Sequence, residues 1–133
     1  KTGWVSNLMF EPSVGNKILK EIAQSEKNLT IMYETTIHKH IGKTETYHLV
    51  KGEIEIHLFD EEGEITQTVL MTKDSNILCK ISAGIYHAVI PKTEYVIFHE
   101  SIRGPLERAL TVAPSWNEEK ILLLKKERVN NES

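Results

Sequence analysis

The sequence predicts an all-β fold of the sandwich or barrel kind, and three observations carry that prediction. Between Leu29 and Phe98, β-branched residues recur with period-two alternation. Tight polar or glycine-containing turns separate these runs, which favours antiparallel neighbours over a sheet built from βαβ units. At 133 residues the chain has the length of one domain closing around a single hydrophobic core.

Taken in order, residues from Val14 to about Glu26 place Ile18, Leu19, Ile22 and Ala23 on one side, the period of a short amphipathic helix that Ser13 can cap. Strands are predicted at Leu29 to His38 and Thr46 to Val50. The clearest is Glu53 to Phe59, where Ile54, Ile56 and Leu58 face one way and Glu53, Glu55 and His57 the other. Asp60-Glu61-Glu62-Gly63 turns the chain into a returning strand, Ile65 to Met71, with Gly63 supplying positive φ. Further strands follow at Ile77 to Ile81, His87 to Ile90 and Tyr95 to Ser101. After Pro114, Ser115 and Glu118 have capping-box spacing, and Glu118-Glu119 precede Lys125-Lys126 in the sense that suits a helix dipole. A C-terminal helix is expected there, although Ile121-Leu122-Leu123-Leu124 also fits a strand. The reading divides the single domain into an N-terminal helical segment (1–28), a β-barrel (29–114) and a C-terminal tail or helix (115–133).

Composition narrows the function classes. With 40% hydrophobic and 26% charged residues the chain is ordinary for a water-soluble domain. It lacks any run near the roughly 18 apolar residues that span a bilayer. No secretory signal is recognisable, so a cytoplasmic location and no membrane partner are expected. A formal net charge of -3, with no basic stripe interleaved with aromatics, argues against nucleic acid. The single cysteine, Cys79, has no intramolecular partner and shares strand parity with Ile77 and Ile81, the setting of a buried, inert thiol.

The chemistry concentrates in His38-Lys39-His40-Ile41-Gly42-Lys43-Thr44-Glu45. His38 and His40 lie two apart on a strand and project to one face, so both imidazoles can reach one ion. Glu45 returns after a glycine-containing turn as an oxygen ligand, and His87, just behind Ser82-Ala83-Gly84, can add a third imidazole. A mixed nitrogen and oxygen set of this kind suits one divalent iron, nickel, manganese or zinc ion rather than calcium or magnesium.

This spacing, His38-x-His40, four residues, Glu45, six residues and Gly52, reproduces the first metal motif of the cupins. From about Pro12 to Glu119 the chain resembles that family, and in particular the small WbuC-like cupin metalloproteins associated with O-antigen and other surface-polysaccharide genes. The resemblance includes Leu58-Phe59-Asp60-Glu61-Glu62-Gly63, Ile81-Ser82-Ala83-Gly84-Ile85-Tyr86-His87, Phe98-His99-Glu100 leading to Gly104-Pro105, and Ala113-Pro114-Ser115-Trp116. Three positions depart from the general motifs: Met32 for a glycine, Ser82 for a proline and Pro91 for an asparagine. The resemblance implies a double-stranded β-helix (jelly-roll barrel) and metal ligation by His38, His40, Glu45 and His87. It also implies a carbohydrate-like small-molecule ligand in lipopolysaccharide or related biosynthesis, and pairing as a homodimer.

By strand parity His48, His57 and His99 fall on solvent-facing or outer surfaces rather than at the metal. Glu34 and Thr36 share parity with His38, Tyr47 follows Glu45, and Tyr86 adjoins His87. Glu34 and Tyr47 are therefore candidate catalytic bases, and Thr36 and Tyr86 candidate substrate-binding residues. Three classes of function stay open: a metal-dependent sugar isomerase or epimerase, a ligand-binding or regulatory cupin without turnover, and an Fe(II)-dependent dioxygenase.

Overall fold

A computed structural model describes residues 2–10, 29–32, 36–105, 107–116, 119–120 and 123. The strands are β1 (Thr2–Phe10), β2 (Leu29–Met32), β3 (Lys39–His40), β4 (Glu45–Lys51), β5 (Ile54–Phe59), β6 (Ile65–Met71), β7 (Leu78–Ile81), β8 (Tyr86–Pro91), β9 (Tyr95–Arg103) and β10 (Thr111–Val112). A 3-10 turn, Arg108–Leu110, precedes β10.

They form two facing layers. One is a five-stranded sheet ordered β2-β1-β9-β4-β7, antiparallel except for the parallel pair β1 and β2. The other begins as the antiparallel sheet β6-β5-β8. The β10-β3 pair extends it, because His38 and His87 exchange backbone hydrogen bonds of 3.2 and 2.9 Å. Antiparallel strands in two layers are the all-β architecture expected of the alternating pattern.

Period-two alternation explains the core. Ile54 and Ile56 of β5 and Val89 of β8 face inward from the second sheet. Tyr47 and Leu49 of β4, Ile81 of β7, and Val96 and Phe98 of β9 meet them from the first, with Met71 closing the side. A smaller cluster, Ile37, Phe59, Tyr86 and Ala88 under Trp116, covers the outer side of β5 and β8. Two glycines of the sequence motifs are required by space as well as conformation. At Gly52 (φ +84°) a Cβ would lie 2.5 Å from the Tyr95 carbonyl oxygen, and at Gly63 (φ +90°) one would lie 2.7 Å from the Trp116 ring.

Several boundaries differ from those predicted. Of the strand predicted from Leu29 to His38, the described residues show β2 at Leu29–Met32, and β3 begins only at Lys39, after the His38 bridge. β1 and the two-residue β10 were not foreseen. Thr2–Phe10 and Thr111–Val112 have weak alternation of their own, and their order comes from ladders to β9 and β3 respectively. The helix expected at 14–26 lies outside the described residues. Glu119, Lys120 and Leu123 are helical, in line with the expected C-terminal helix, whose remainder also lies outside them. Among the described residues no helix is long and apolar enough to cross a membrane.

A second correction concerns His57. Parity does turn it away from the core, but the outer face of β5 is covered and His57 is buried. Its Nε2 lies 2.6 Å from Glu55 Oε1, and its Nδ1 is 3.2 Å from the Thr68 hydroxyl. The alternation assigns a face; it does not say whether other parts of the chain cover that face.

Candidate metal centre

Four side chains converge at one end of the space between the sheets: His38, His40, Glu45 and His87. Each offers one ligand atom, and all four atoms lie within 4.8 Å of one another. Glu45 opens β4 on the inner face of the first sheet, held between Ile81 of β7 and Ile102 of β9. His87 faces it from β8 in the second sheet, with its Nε2 2.9 Å from Glu45 Oε2. His40 Nε2 is 3.5 Å from the same oxygen. The His38 ring stands 4.6 Å from that of His87 and 5.0 Å from that of His40, centroid to centroid. The cluster therefore spans both layers, and only the closed sandwich assembles it.

The outward ring nitrogens fix which lone pairs face inward. His87 Nδ1 lies 3.0 Å from the Ile85 carbonyl, so its N–H donates there and leaves the Nε2 lone pair facing Glu45. His40 Nδ1 is 3.1 Å from Thr111 Oγ1, and donation to that hydroxyl leaves His40 Nε2 in the same condition. This is how metal-ligating imidazoles are usually oriented by a second contact. Inside the cluster, His40 Nε2 and both carboxylate oxygens of Glu45 are buried without a hydrogen-bond partner. Orphaned buried polar atoms cost about 1–3 kcal/mol each, and more when charged. Donors around one transition-metal ion at about 2.0–2.2 Å are about 3–4 Å apart, so small side-chain rotations would seat such an ion here. The donor set and its orphaned atoms fit a divalent cation.

The electrostatics agree with that fit. Burial by itself raises the Glu45 carboxyl pKa, but a proton held toward it by His40, His87 or Glu100 outweighs burial and keeps the group well below the usual carboxylate range, in the position where a cation would do the same. Burial and the neighbouring His87 lower His38 to about 4, so the ring is neutral at physiological pH. Metal ligands are wanted in these forms, an ionised carboxylate and neutral imidazoles.

The other candidates are distributed unevenly. Tyr47 is buried on the inner face below the cluster, its hydroxyl 3.3 Å from His87 Nε2. Burial, with the charges of Glu100 and Glu45, pushes its phenol well above the ordinary value. Thr36 is exposed. Tyr86 lies on the opposite side of β8 from His87, with its ring 5.5 Å from Trp116 and the Lys39 ammonium 4.1 Å from its centroid. Glu34 lies outside the described residues. Cys79 pairs with Tyr47 across β4 and β7, half-buried, and burial pushes its thiol up.

Two site residues escaped the sequence reading. Thr111 supports His40 from 71 positions away, on a strand too short to carry a pattern. Glu100 lies directly opposite Tyr47 in the β4–β9 register, half-buried on the face that carries Glu45. Its parity with Phe98 was the available signal.

Comparison with solved structures supports the fold. A CapF crystallised with the inhibitor 3-isopropenyl-tropolone matches 61% of the chain at a TM-score of 0.54 and 17% identity, over 25% of its own length. Staphylococcus aureus CapF, a capsular polysaccharide assembling protein, matches 60% at 0.52 and 16% identity, over 27% of its length. Protein SO0799 from Shewanella oneidensis matches 71% at 0.54 and 11% identity, over 61% of its length. The chain thus spans about a quarter of CapF. No family model matches the sequence, and no curated protein does. The chain has the all-β cupin fold, with a histidine and glutamate cluster able to hold a metal ion at one end of its barrel.

Proposed function

We propose that the protein is a metal-dependent cupin acting on a carbohydrate or sugar-nucleotide metabolite in surface-polysaccharide biosynthesis, with His38, His40, Glu45 and His87 as the metal ligands. The observation that carries the metal reading is the set of buried, partnerless donor atoms on His40 and Glu45. When bound, a divalent ion in such an open site supplies Lewis-acid polarisation of a substrate carbonyl or hydroxyl. The carbohydrate reading draws support from the sequence resemblance and from the fold shared with a capsular polysaccharide assembling protein.

Within this reading the chain's own residues divide the proton work for an isomerisation or epimerisation. Tyr47, with its phenol pKa raised, stays protonated at neutral pH and serves as a hydrogen-bond donor at the site rather than as the base considered from sequence. Glu100, across from it on β9 and in contact with Glu45, is the carboxyl positioned to exchange a proton with a bound substrate. Thr36 is at the solvent side, where it can meet the polar end of a ligand. Association as a homodimer is part of the same reading. It is supported by exposed apolar residues on the edge strands of the two sheets: Leu78 of β7, and Ile65 and Leu70 of β6.

The experiment is solvent-deuterium exchange into a panel of nucleotide-activated hexoses, run with protein purified without chelator or nickel resin. Exchange at a carbon-bound position that is lost in Glu100→Gln, while bound metal is retained, supports the reading. Tight, metal-dependent ligand binding without exchange would make the protein a binding cupin instead, and oxygen consumption with Fe(II) would make it a dioxygenase.

A further inference from the structure

β6 and β7 each end one sheet, and the connection 72–77 joins them. Sheet edges are ordinarily protected from pairing with other chains by short length or by charge. β7 has both protections, being four residues long with an exposed Lys80. β6 has neither: Ile65–Met71 runs for seven residues without a charged residue, proline or glycine. Residues 64–68 and Leu70 are exposed, and no strand of the described chain pairs with the side of β6 away from β5.

The ladder identifies the hydrogen-bonding groups on that side. Along an antiparallel strand, successive residues turn their N–H and C=O groups to opposite neighbours. The Lys92 N–H donates to the Glu53 carbonyl at 2.8 Å, which sets Glu53, Glu55 and His57 toward β8, and Ile54, Ile56 and Leu58 toward β6. Their partners Met71, Val69 and Gln67 therefore face β5, while Thr68 and Leu70 face away from it. Asn76 Nδ2 donates to the Leu70 carbonyl at 3.1 Å, and Thr72 exchanges backbone bonds with Ser75, so the connection closes the edge beyond Leu70. The register skips Thr66, the extra residue of a bulge. Between these two features, the N–H of Leu70 and both backbone groups of Thr68 face outward.

We propose that β6 pairs with β6 of a second copy of this chain, antiparallel about a two-fold axis at Thr68. The inference rests on the homodimer proposed above and assigns the edge that forms it. Thr68 then exchanges N–H to C=O bonds with Thr68 of the second copy in both directions, and each Leu70 N–H meets the Thr66 carbonyl of the other copy. The same patch therefore supplies both halves of the interface, as a two-fold contact requires. Pairing joins β6-β5-β8 of each copy into a six-stranded sheet and covers Ile65 and Leu70, each 45% exposed. Charge selects the antiparallel sense. It carries the acidic turns 60–64 of the two copies to opposite ends, each toward Lys73 of the other, whereas the parallel sense would set the two acidic turns side by side.

Sedimentation equilibrium of untagged full-length protein, over a concentration series, reads the association. Wild type forms a dimer. Thr68→Pro removes no bond to β5, because the Thr68 N–H faces outward, yet it weakens the dimer by more than about 30-fold by leaving a carbonyl of each copy unpaired. Thr68→Lys keeps the N–H and weakens the dimer in the same direction by placing like charges opposite each other on the axis. Leu78→Lys, on β7, leaves association unchanged. In a Cys79→Ser background, Thr68→Cys forms a disulfide dimer under mild oxidation, since opposed hydrogen-bonded residues have Cα atoms about 5.5 Å apart. Lys80→Cys does not. A dimer that survives both Thr68→Pro and Thr68→Lys, or that crosslinks through Lys80→Cys instead, overturns the β6 interface and leaves the homodimer standing. Wild type that is monomeric at every concentration overturns both and leaves the edge to a strand of another protein. None of these results bears on the metal cluster or on the deuterium-exchange test.

Discussion

Two histidine and glutamate pairs lie on opposite faces of the same small barrel, the inner one fully buried and the outer one a buried His57 beside a half-buried Glu55, and each meets the problem of burial differently. On the outer face, His57 Nε2 meets Glu55 Oε1 at 2.6 Å, Thr68 engages the other ring nitrogen, and Lys92 approaches the second carboxylate oxygen at 3.8 Å. Each polar atom has a neighbour of complementary character, so the group is complete without a ligand. On the inner face, His87 and Glu45 approach to 2.9 Å, but the imidazole proton is committed outward to Ile85, and neither Glu45 oxygen has a hydrogen-bond partner. Two acceptors facing each other at that distance repel unless positive charge lies between them. The direction in which the imidazole N–H groups point, rather than the mere presence of a histidine beside a glutamate, separates a structural pair from a cage for a cation.

The largest effect expected from breaking this contrast is on metal affinity. His40→Ala should weaken binding by more than about 100-fold, since loss of outer-shell partners alone costs 10–100-fold. His57→Ala should leave metal content unchanged. Equilibrium dialysis with Zn2+ checks both, and equal loss in the two variants would erase the distinction.

Acidification should come next, in metal-free protein. His38, folded at about 4 against 6.5 for the free residue, is a group whose unfolded form binds the proton first. Stability is therefore full above pH 6.5 and is lost as pH falls toward 4, by about 3 kcal/mol for a shift of this size. Glu45 acts in the same direction lower down. Its folded pKa is depressed, so its contribution is present above the ordinary carboxylate range and disappears as pH falls through and below it. Urea melts between pH 7 and 4 measure the combined slope, and a His38→Gln variant should flatten the upper part of the curve.

Thr111→Val should weaken metal binding by about tenfold, because it removes the hydroxyl that orients His40 without touching a ligand. The smallest effect is that of His57→Ala on stability, about 1–2 kcal/mol from the hydrogen bonds it gives up to Glu55 and Thr68, read as a lower urea midpoint.

How much of this was legible beforehand follows from the range over which each signal acts. β6, Ile65–Met71, was read with its observed bounds because alternation and the Gly63 turn are local. The His38-x-His40 spacing, Glu45 and His87 were legible as donors of the right type, and the fold brings their ligand atoms within 4.8 Å. What could not be read was coverage and support. Nothing within β5 announces that the outer face of His57 is covered, and nothing near His40 points to Thr111. β1 likewise owes its order to nine register partners on β9, from Thr2 opposite Arg103 to Phe10 opposite Tyr95, far away in sequence. Parity assigns faces; only the assembled barrel decides which faces meet.

The most direct test is X-ray absorption spectroscopy on chelator-stripped protein loaded with less than one equivalent of Zn2+, so that the strongest site fills first. The account predicts a first shell of three imidazole nitrogens and carboxylate oxygen, with the multiple-scattering signature of imidazole reduced by one ring in His40→Ala. A shell made of oxygen alone, or one unchanged by His40→Ala, would contradict it.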